Sequence, residues 1–291
     1  MRIAEAVTQA AAELAAAHVG SPRVDAELLA AHVLGIPRWR LAAAEMFTDA
    51  QARRYLDLVS RRATRVPLQH LTGTAPFRQM ELAVGPGVFV PRPETEMLVE
   101  WGLRWLRDNS GFVVVDLCAG SGAIAASVVT EAPGLTVFAV EREPAALTWL
   151  RRNVSGLGVT VVEGDATDPG VLSELDGRVD LVLSNPPYVP EIGAGGLPPE
   201  VTDHDPPVAV CGGTDGLDVI RPLIGRAATL LRTGGGFGVE HEDVHAYVVP
   251  TLVSDDGRFA GVELHHDLAQ RARFTTATRT EPAAAMADFT S

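Results

Sequence analysis

Apolar residues recur at helical spacing over the first 65 positions, then give way to short apolar runs separated by turns. Ile3, Val7, Ala10, Ala11 and Leu14 share one helix face, and Gly20-Ser21-Pro22 ends that segment. Ala26, Leu29, Ala30 and Val33 form a second stripe, stopped by Gly35 and Pro37. A third helix is predicted from Asp49, read as its N-cap, to about Arg65, with Leu56 and Val59 facing inward. Its Arg53, Arg54, Arg61, Arg62 and Arg65 read as a solvated face, with docking of a protein partner as the alternative.

The texture changes at Pro67. Gly73, Pro76, Gly85, Pro86, Gly87, Pro91 and Pro93 punctuate short β-like pieces such as Met80-Glu81-Leu82-Ala83-Val84. From residue 94 onward, strand candidates at 112–117, 136–141, 158–163, 179–184, 235–241, 258–266 and 273–279 alternate with helical stretches. Those stretches cover 94–107, 121–132, 144–156, 216–231 and 243–254. Such alternation is the pattern of an α/β doubly wound sheet, with the last two strands as an antiparallel edge hairpin. The expected organisation is a helical domain over 1–66, a β-hairpin linker over 67–93, a sheet domain over 94–279 and a disordered polar tail over 280–291.

Composition narrows the class. The chain has 291 residues, 46% of them hydrophobic, enough for a large packed domain and a small one. No apolar run approaches the ~18–20 residues of a membrane span, and the start carries acids at helical spacing rather than a signal peptide. Cys118 and Cys211 lack metal-ligand spacing and read as reduced thiols of a cytoplasmic protein, so no metal is called for. Net charge is −13, and all 24 basic residues are arginine. That acidity disfavours a large phosphate-binding surface.

Candidate chemistry sits at strand ends. Ser184-Asn185-Pro186-Pro187-Tyr188 follows the apolar run Val179–Leu183, and the prolines end sheet pairing at once because they have no N–H to donate. The resulting loop offers an amide side chain, backbone carbonyls and an aromatic face at a strand's carboxyl end, where open α/β sheets bind ligands. Those parts suit gripping a planar amino or amide nitrogen and presenting it to an electrophile, the work of a nitrogen methyltransferase. Earlier, Val113–Leu117 runs through Cys118-Ala119-Gly120-Ser121-Gly122 into a helix, a strand–turn–helix that brings backbone close to a ligand. A dinucleotide site is the rival for that turn, but Ile124 and Ala125 stand where a third glycine would be. Asp116 before the turn could accept from an ammonium and would repel a pyrophosphate. Glu141 ends the next strand and suits two ribose hydroxyls, while Asp165, beside Ala166 after the third strand, suits an adenine amino group. Together these acids point to S-adenosylmethionine.

These residues resemble the release-factor glutamine N5-methyltransferases, the PrmC/HemK family. The resemblance runs from about Val66 to Arg279 and more weakly through the helical domain. It rests on Pro67-Leu68-Gln69-His70-Leu71-Thr72-Gly73, Phe89-Val90-Pro91-Arg92-Pro93-Glu94-Thr95-Glu96, the glycine turn, Asn185–Tyr188 and Gly212-Gly213-x-Asp215-Gly216-Leu217. It implies a class I S-adenosylmethionine-dependent methyltransferase, Rossmann-like with a seven-stranded mostly parallel sheet. The implied reaction methylates the side-chain nitrogen of the Gly-Gly-Gln glutamine in peptide-chain release factors and yields S-adenosyl-L-homocysteine. By matching position, Cys118, Ala119, Gly120, Ser121 and Gly122 line the cofactor and Glu141 meets its ribose, and the residue reading adds Asp116, Asp165, Ala166 and Asn185 around it. Asn185, Pro186, Pro187 and Tyr188 hold the glutamine, with Asn185, Pro186 and Tyr188 as the catalytic set. Two positions depart: many members have Asp at Glu141 and a bulky aromatic at Ala166. Neither a membrane nor direct nucleic-acid binding is expected, and no histidine is nominated as catalytic. The alternatives are an adenine N6 or guanine N2 methyltransferase of nucleic acids, which shares Asn-Pro-Pro-Tyr, and a non-catalytic partner-binding module.

Overall fold

Ile3, Val7, Ala10 and Leu14 lie buried along α1 (Ile3–Ala16), and Ala26, Leu29, Ala30 and Val33 along α2 (Pro22–Leu34), in a computed structural model that describes residues 1–191 and 196–281. Pro22 opens α2 where no N–H is required, and Gly35 closes it in the left-handed region at φ 66°. The third helix, α3 (Asp49–Ala63), departs from the sequence reading in three ways. Thr48, not Asp49, is the N-cap: its hydroxyl accepts from Gln51 N while its own N–H donates to Gln51 Oε1, a reciprocal capping box. The inward face carries Tyr55, Leu58 and Val59, whereas Leu56 is exposed. Tyr55 takes the central position because its ring stacks on Phe47 at 5.1 Å and its hydroxyl donates to Ala26 O at 3.1 Å.

Third, Arg62 is not part of a solvated face. It is 5% exposed, and its guanidinium binds Asp25 Oδ2 and Glu200 Oε1, each at 2.7 Å. Arg65 closes on the same Glu200 carboxylate at 2.8 and 2.5 Å. Arg53, Arg54 and Arg61 remain exposed, Arg54 with a nitrogen 3.0 Å from His32 Nε2. Glu200 reaches these arginines because the chain divides into two compact units that are discontinuous in sequence. One comprises Met1–Thr74, Val84–Pro86 and Leu197–Asp205, the other Ala75–Ala83, Gly87–Gly196 and Pro206–Ser291. Positions 282–291 of the expected tail lie outside the described residues.

Within the stretch read as a hairpin linker, a short helix α4 (Leu68–Thr72) precedes β1 (Thr74–Phe77) and β2 (Met80–Ala83), which pair as a two-stranded sheet. Next come α5 (Thr95–Asn109), β3 (Val113–Leu117), α6 (Ala123–Glu131), β4 (Thr136–Glu141), α7 (Pro144–Asn153), β5 (Val159–Glu163) and β6 (Val179–Ser184). The chain continues through α8 (Pro199–Thr202), α9 (Pro207–Val210), α10 (Ile220–Leu230), β7 (Leu231–Glu240), α11 (Val248–Asp255), β8 (Phe259–His266) and β9 (Ala272–Arg279). The large sheet has the order β5-β4-β3-β6-β7-β9-β8, parallel through β7 and antiparallel at β9 and β8. It is a seven-stranded, mostly parallel sheet with a doubly wound core, the architecture that the sequence resemblance implies. The predicted helix at 216–231 starts late, at Ile220, and β7 starts early, at Leu231, with a register shift against β6 between Val179 and Leu181.

Both sheet faces are covered, which is why the central strands are almost wholly apolar. Val114, Leu181 and Leu183 pack in one cluster with Leu98, Ile124 and Leu150 of α5, α6 and α7. Val115 and Val182, one residue out of phase, pack in the other with Leu223 and Val249 of α10 and α11. Parallel pairing aligns the strand ends: Leu117 stands beside both Val140 and Ser184, and Glu141 beside Glu163. The loops that follow β3, β4, β5 and β6 therefore open on one edge of the sheet. Among the described residues, no helix is long and apolar enough to cross a membrane.

Candidate active site

The turn after β3 alternates left-handed residues: Cys118 at φ 63°, Gly120 at 55° and Gly122 at 82°. Gly122 favours glycine on two counts: φ 82° is a conformation that L side chains rarely adopt, and a Cβ there would stand 2.6 Å from the buried Leu150 Cδ1. At Gly120 the reason differs: nothing lies within 4 Å of the space a Cβ would enter, so the backbone borders an open cradle. Cys118 pays a strain of about 1–3 kcal/mol for its conformation, the kind of cost that structures tolerate at binding sites. Burial pushes its thiol well above the ordinary range, so it is not a thiolate nucleophile. Ala119, Ser121 and Gly122 are buried in the turn, and Asn153 Nδ2 pins Ser121 O at 2.9 Å.

The strand-end acids hold this turn open. Glu141 Oε2 accepts from Gly120 N at 2.8 Å, and Oε1 accepts from Arg142 N and Glu143 N, both at 2.8 Å. Asp116 is fully buried; Oδ2 accepts from Ala125 N at 3.1 Å in the first turn of α6, and among the described residues Oδ1 has no hydrogen-bond partner. Burial raises its pKa to about 8 against the opposing Ala125 bond, with the nearby Glu141 charge adding to the rise. Asp165 is tied locally: Oδ1 accepts from Thr167 N and Oγ1 at 2.8 and 2.7 Å, and Oδ2 pairs with Arg142 at 3.1 Å. Ala166 is 4% exposed and packs in the core cluster with Leu117 and Val140.

Asn185–Tyr188 leaves the end of β6, where Ser184 Oγ donates to Leu117 O at 2.6 Å and fixes the strand end. Asn185 Nδ2 donates to Thr95 Oγ1 at 3.0 Å. Thr95 in turn donates to Glu240 Oε2 at 2.7 Å, and Tyr188 OH donates to Glu240 Oε1 at 2.9 Å. Pro186 is buried and Pro187 partly so. Burial raises Glu240 to about 7 although Thr95, Tyr188 and Arg273 favour its charge. Burial and the neighbouring Glu240 charge together hold Tyr188 well above the usual phenol value. Behind the loop, Gly212 and Gly216 press on its backbone. A Cβ on Gly216 would stand 2.3 Å from Tyr188 O, and one on Gly212 would stand 2.8 Å from Pro187 O.

This geometry meets known proteins at every level. Residues 5–73 match the model of the PrmC N-terminal domain, and residues 81–194 that of the methyltransferase small domain. A curated release factor glutamine methyltransferase of Mycolicibacterium smegmatis is 50% identical over 96% of this chain and 98% of its own length. That of Corynebacterium glutamicum is 45% identical over 96% of this chain and 99% of its own. The chain belongs to the release factor glutamine methyltransferase family. The hMettl16 catalytic domain, solved in complex with the MAT2A 3′UTR hairpin 6, superposes with a TM-score of 0.55. It covers 81% of this chain and 84% of that one at 15% identity, which shows a shared fold alone.

Members of the release factor glutamine methyltransferase family draw their methyl group from S-adenosylmethionine, and the residues present here fit that group. The open side of Gly120, the carboxylate of Glu141 against the turn and the orphaned Asp116 Oδ1 supply a backbone cradle and two acceptors. Sequence reasoning missed three contributors: Thr95, Glu240 and Asn153. Thr95 lay within the Phe-Val-Pro-Arg-Pro-Glu-Thr-Glu segment, and Glu240 could have been found by the strand-end rule that selected Glu141. Replacing Glu141 by alanine removes the acceptor of three backbone N–H groups and the carboxylate that the sequence assigns to a ribose. Affinity for S-adenosylmethionine should fall by roughly 1.5–3 kcal/mol, read by equilibrium titration. An unaltered dissociation constant removes Glu141 from the ribose site.

Proposed function

We propose that this protein transfers a methyl group from S-adenosylmethionine to the side-chain amide nitrogen of the Gly-Gly-Gln glutamine in a peptide-chain release factor, acting in the cytoplasm. The observation that carries this reading is the Asn185–Thr95–Glu240 chain of hydrogen bonds. In its ionised form, which the hydrogen bonds from Thr95 and Tyr188 and the Arg273 charge favour, Glu240 only accepts, so Thr95 spends its one hydrogen on Glu240 and accepts from Asn185. Asn185 Oδ1 is then the end of the amide left to face a substrate.

A glutamine amide is a weak nucleophile because its lone pair is delocalised into the carbonyl. S-adenosylmethionine, when bound, supplies a methyl group already activated on a sulfonium centre. What the chain must add is position. Asn185 Oδ1 and the Pro186 carbonyl accept the two amide hydrogens, which sets the plane of the nitrogen and raises its electron density. Tyr188, held by Glu240, covers the amide face. No general base is needed, since the surplus proton leaves the nitrogen after the methyl arrives. The helical unit, with Arg54 and Arg61 exposed, is proposed to dock the release factor. Arg65 is excluded from that surface because Glu200 occupies it. Nucleic-acid methylation is not favoured: the relatives named for release factors are similar over nearly the whole chain, and the net charge is −13.

The test is incubation with methyl-labelled cofactor and a purified release factor, followed by mapping of the label. Label on the glutamine amide is expected, and Arg54→Glu with Arg61→Glu should slow transfer to the folded factor in a salt-dependent way. Label only on RNA or DNA would overturn the assignment. A charge-reversed variant as fast as wild type across a range of salt concentrations would leave the arginines as a solvated face.

A further inference from the structure

We propose that Glu240 is a positioning residue for this reaction, its two carboxylate oxygens fixing through Thr95 which end of the Asn185 amide meets the substrate and, directly, where the Tyr188 ring lies. The inference rests on the reading of Asn185 as the group that holds the accepting amide. Register supplies the placement. Ser184 of β6 stands beside Val239 of β7, so Asn185 and Glu240, one residue further on, leave adjacent strands at the same level. Thr95 reaches Glu240 from the start of α5, 145 positions earlier in the chain.

The need for such a residue follows from the shape of an amide. The oxygen and NH2 ends of asparagine are nearly isosteric, so packing alone does not choose between them; a hydrogen-bond partner of fixed polarity does. A threonine hydroxyl has no fixed polarity, since it donates and accepts equally well. Glu240 gives it one, because a carboxylate leaves Thr95 only its lone pairs for Asn185. With the polarity lost, Thr95 can donate to Oδ1 instead, and Asn185 turns its NH2 toward the NH2 of the substrate. Two donors then face each other where one must accept. Glu240 is 1% exposed, and its other oxygen takes the Tyr188 hydroxyl, so both of its contacts serve the substrate loop.

Glutamine at this position tests the polarity. Its oxygen can take one hydroxyl, but its NH2 must donate to the other, so either Thr95 is turned toward Asn185 or Tyr188 loses its acceptor. On the full-length chain, with a release factor as substrate, Glu240→Gln and Thr95→Val are each expected to lower kcat roughly tenfold or more. Affinity for S-adenosylmethionine should stay near wild type, while the melting temperature falls by a few degrees for the loss of one hydrogen bond to a buried carboxylate, leaving the variants folded at the assay temperature. Thr95→Ser, which keeps the hydroxyl, should recover most of the rate. The double variant Glu240→Gln/Thr95→Val should be no slower than the slower single one, since both break one chain of bonds. Asn185→Ala is measured alongside. If Asn185→Ala is inactive while folded Glu240→Gln and Thr95→Val turn over at the wild-type rate, the role of Glu240 is refuted and that of Asn185 stands. If Asn185→Ala turns over normally, both fall. Should Glu240→Gln not fold, the Thr95 pair decides: a wild-type rate in Thr95→Val refutes the proposal, and a loss restored by Thr95→Ser supports it.

Discussion

Replacing Asn185 by alanine is expected to slow methyl transfer by ~10²-fold or more while affinity for S-adenosylmethionine stays within about twofold. The substitution removes the acceptor that orients the substrate nitrogen and leaves the glycine turn, Glu141 and Asp116 untouched. Misplacement of a reacting atom by as little as ~1 Å is enough to produce a loss of this size. Loss of the Asn185–Thr95 bond adds little, because Thr95 keeps its bond to Glu240. Single-turnover kinetics with the cofactor prebound separates the two effects. Unchanged turnover in folded protein would take Asn185 out of the reaction. A large fall in cofactor affinity would instead make it a binding residue.

Arg62→Ala is expected to destabilise the helical unit by about 3–5 kcal/mol, because it leaves Asp25 buried without its partner. Hydrogen exchange of the α3 amides should report the loss, and a change below about 1 kcal/mol would show that the buried pair is not what holds α3 to α2. Glu200 adds a pH dependence. Burial alone would raise its pKa, but hydrogen bonds from Arg65 and then Arg62 hold it down to about 2 from the ordinary 4.5. A carboxyl with a depressed folded-state pKa contributes stability that is complete above the unfolded value and is lost as pH falls through the folded one. Protection of the helical unit should therefore decline from about pH 4.5 toward 2, and less so in Glu200→Gln, which has no charge to lose. A Glu200→Gln variant with the wild-type pH profile would exclude this carboxylate as the cause.

What could be read without coordinates was what depends on neighbours in sequence. The stripes of α1 and α2, the strand–turn–helix around Gly120 and the proline stop after Ser184 are local devices, and each stands where its residues implied. The inward face of α3 was misread because Leu56 is the better hydrophobe, but Phe47 and the Ala26 carbonyl were waiting for Tyr55. Arg62 was misread for a related reason. An arginine is buried only when acceptors come to it, and Glu200 lies 138 positions away. The site divides in the same way. Asn185 and Glu141 were visible from their own surroundings, whereas Thr95 and Glu240 acquire their meaning only when α5 and β7 meet. Asp165 and Ala166 were placed at the correct strand end, yet the carboxylate is engaged by Thr167 and Arg142 and the methyl is part of the core.

The late arrival of Glu200 also has a consequence for synthesis on the ribosome. The helix that carries Arg62 and the turn after it that carries Arg65 emerge first, with Asp25 already in the chain to meet Arg62. The carboxylate both arginines share is 138 residues behind Arg62, which at ordinary rates of elongation is a wait on the order of ten seconds. During that interval Arg62 has only Asp25 and Arg65 lacks its carboxylate. Completion of the segment 197–205 withdraws those charges into the fold, so this unit reaches its final electrostatic state only after the Asn-Pro-Pro-Tyr loop has itself been made.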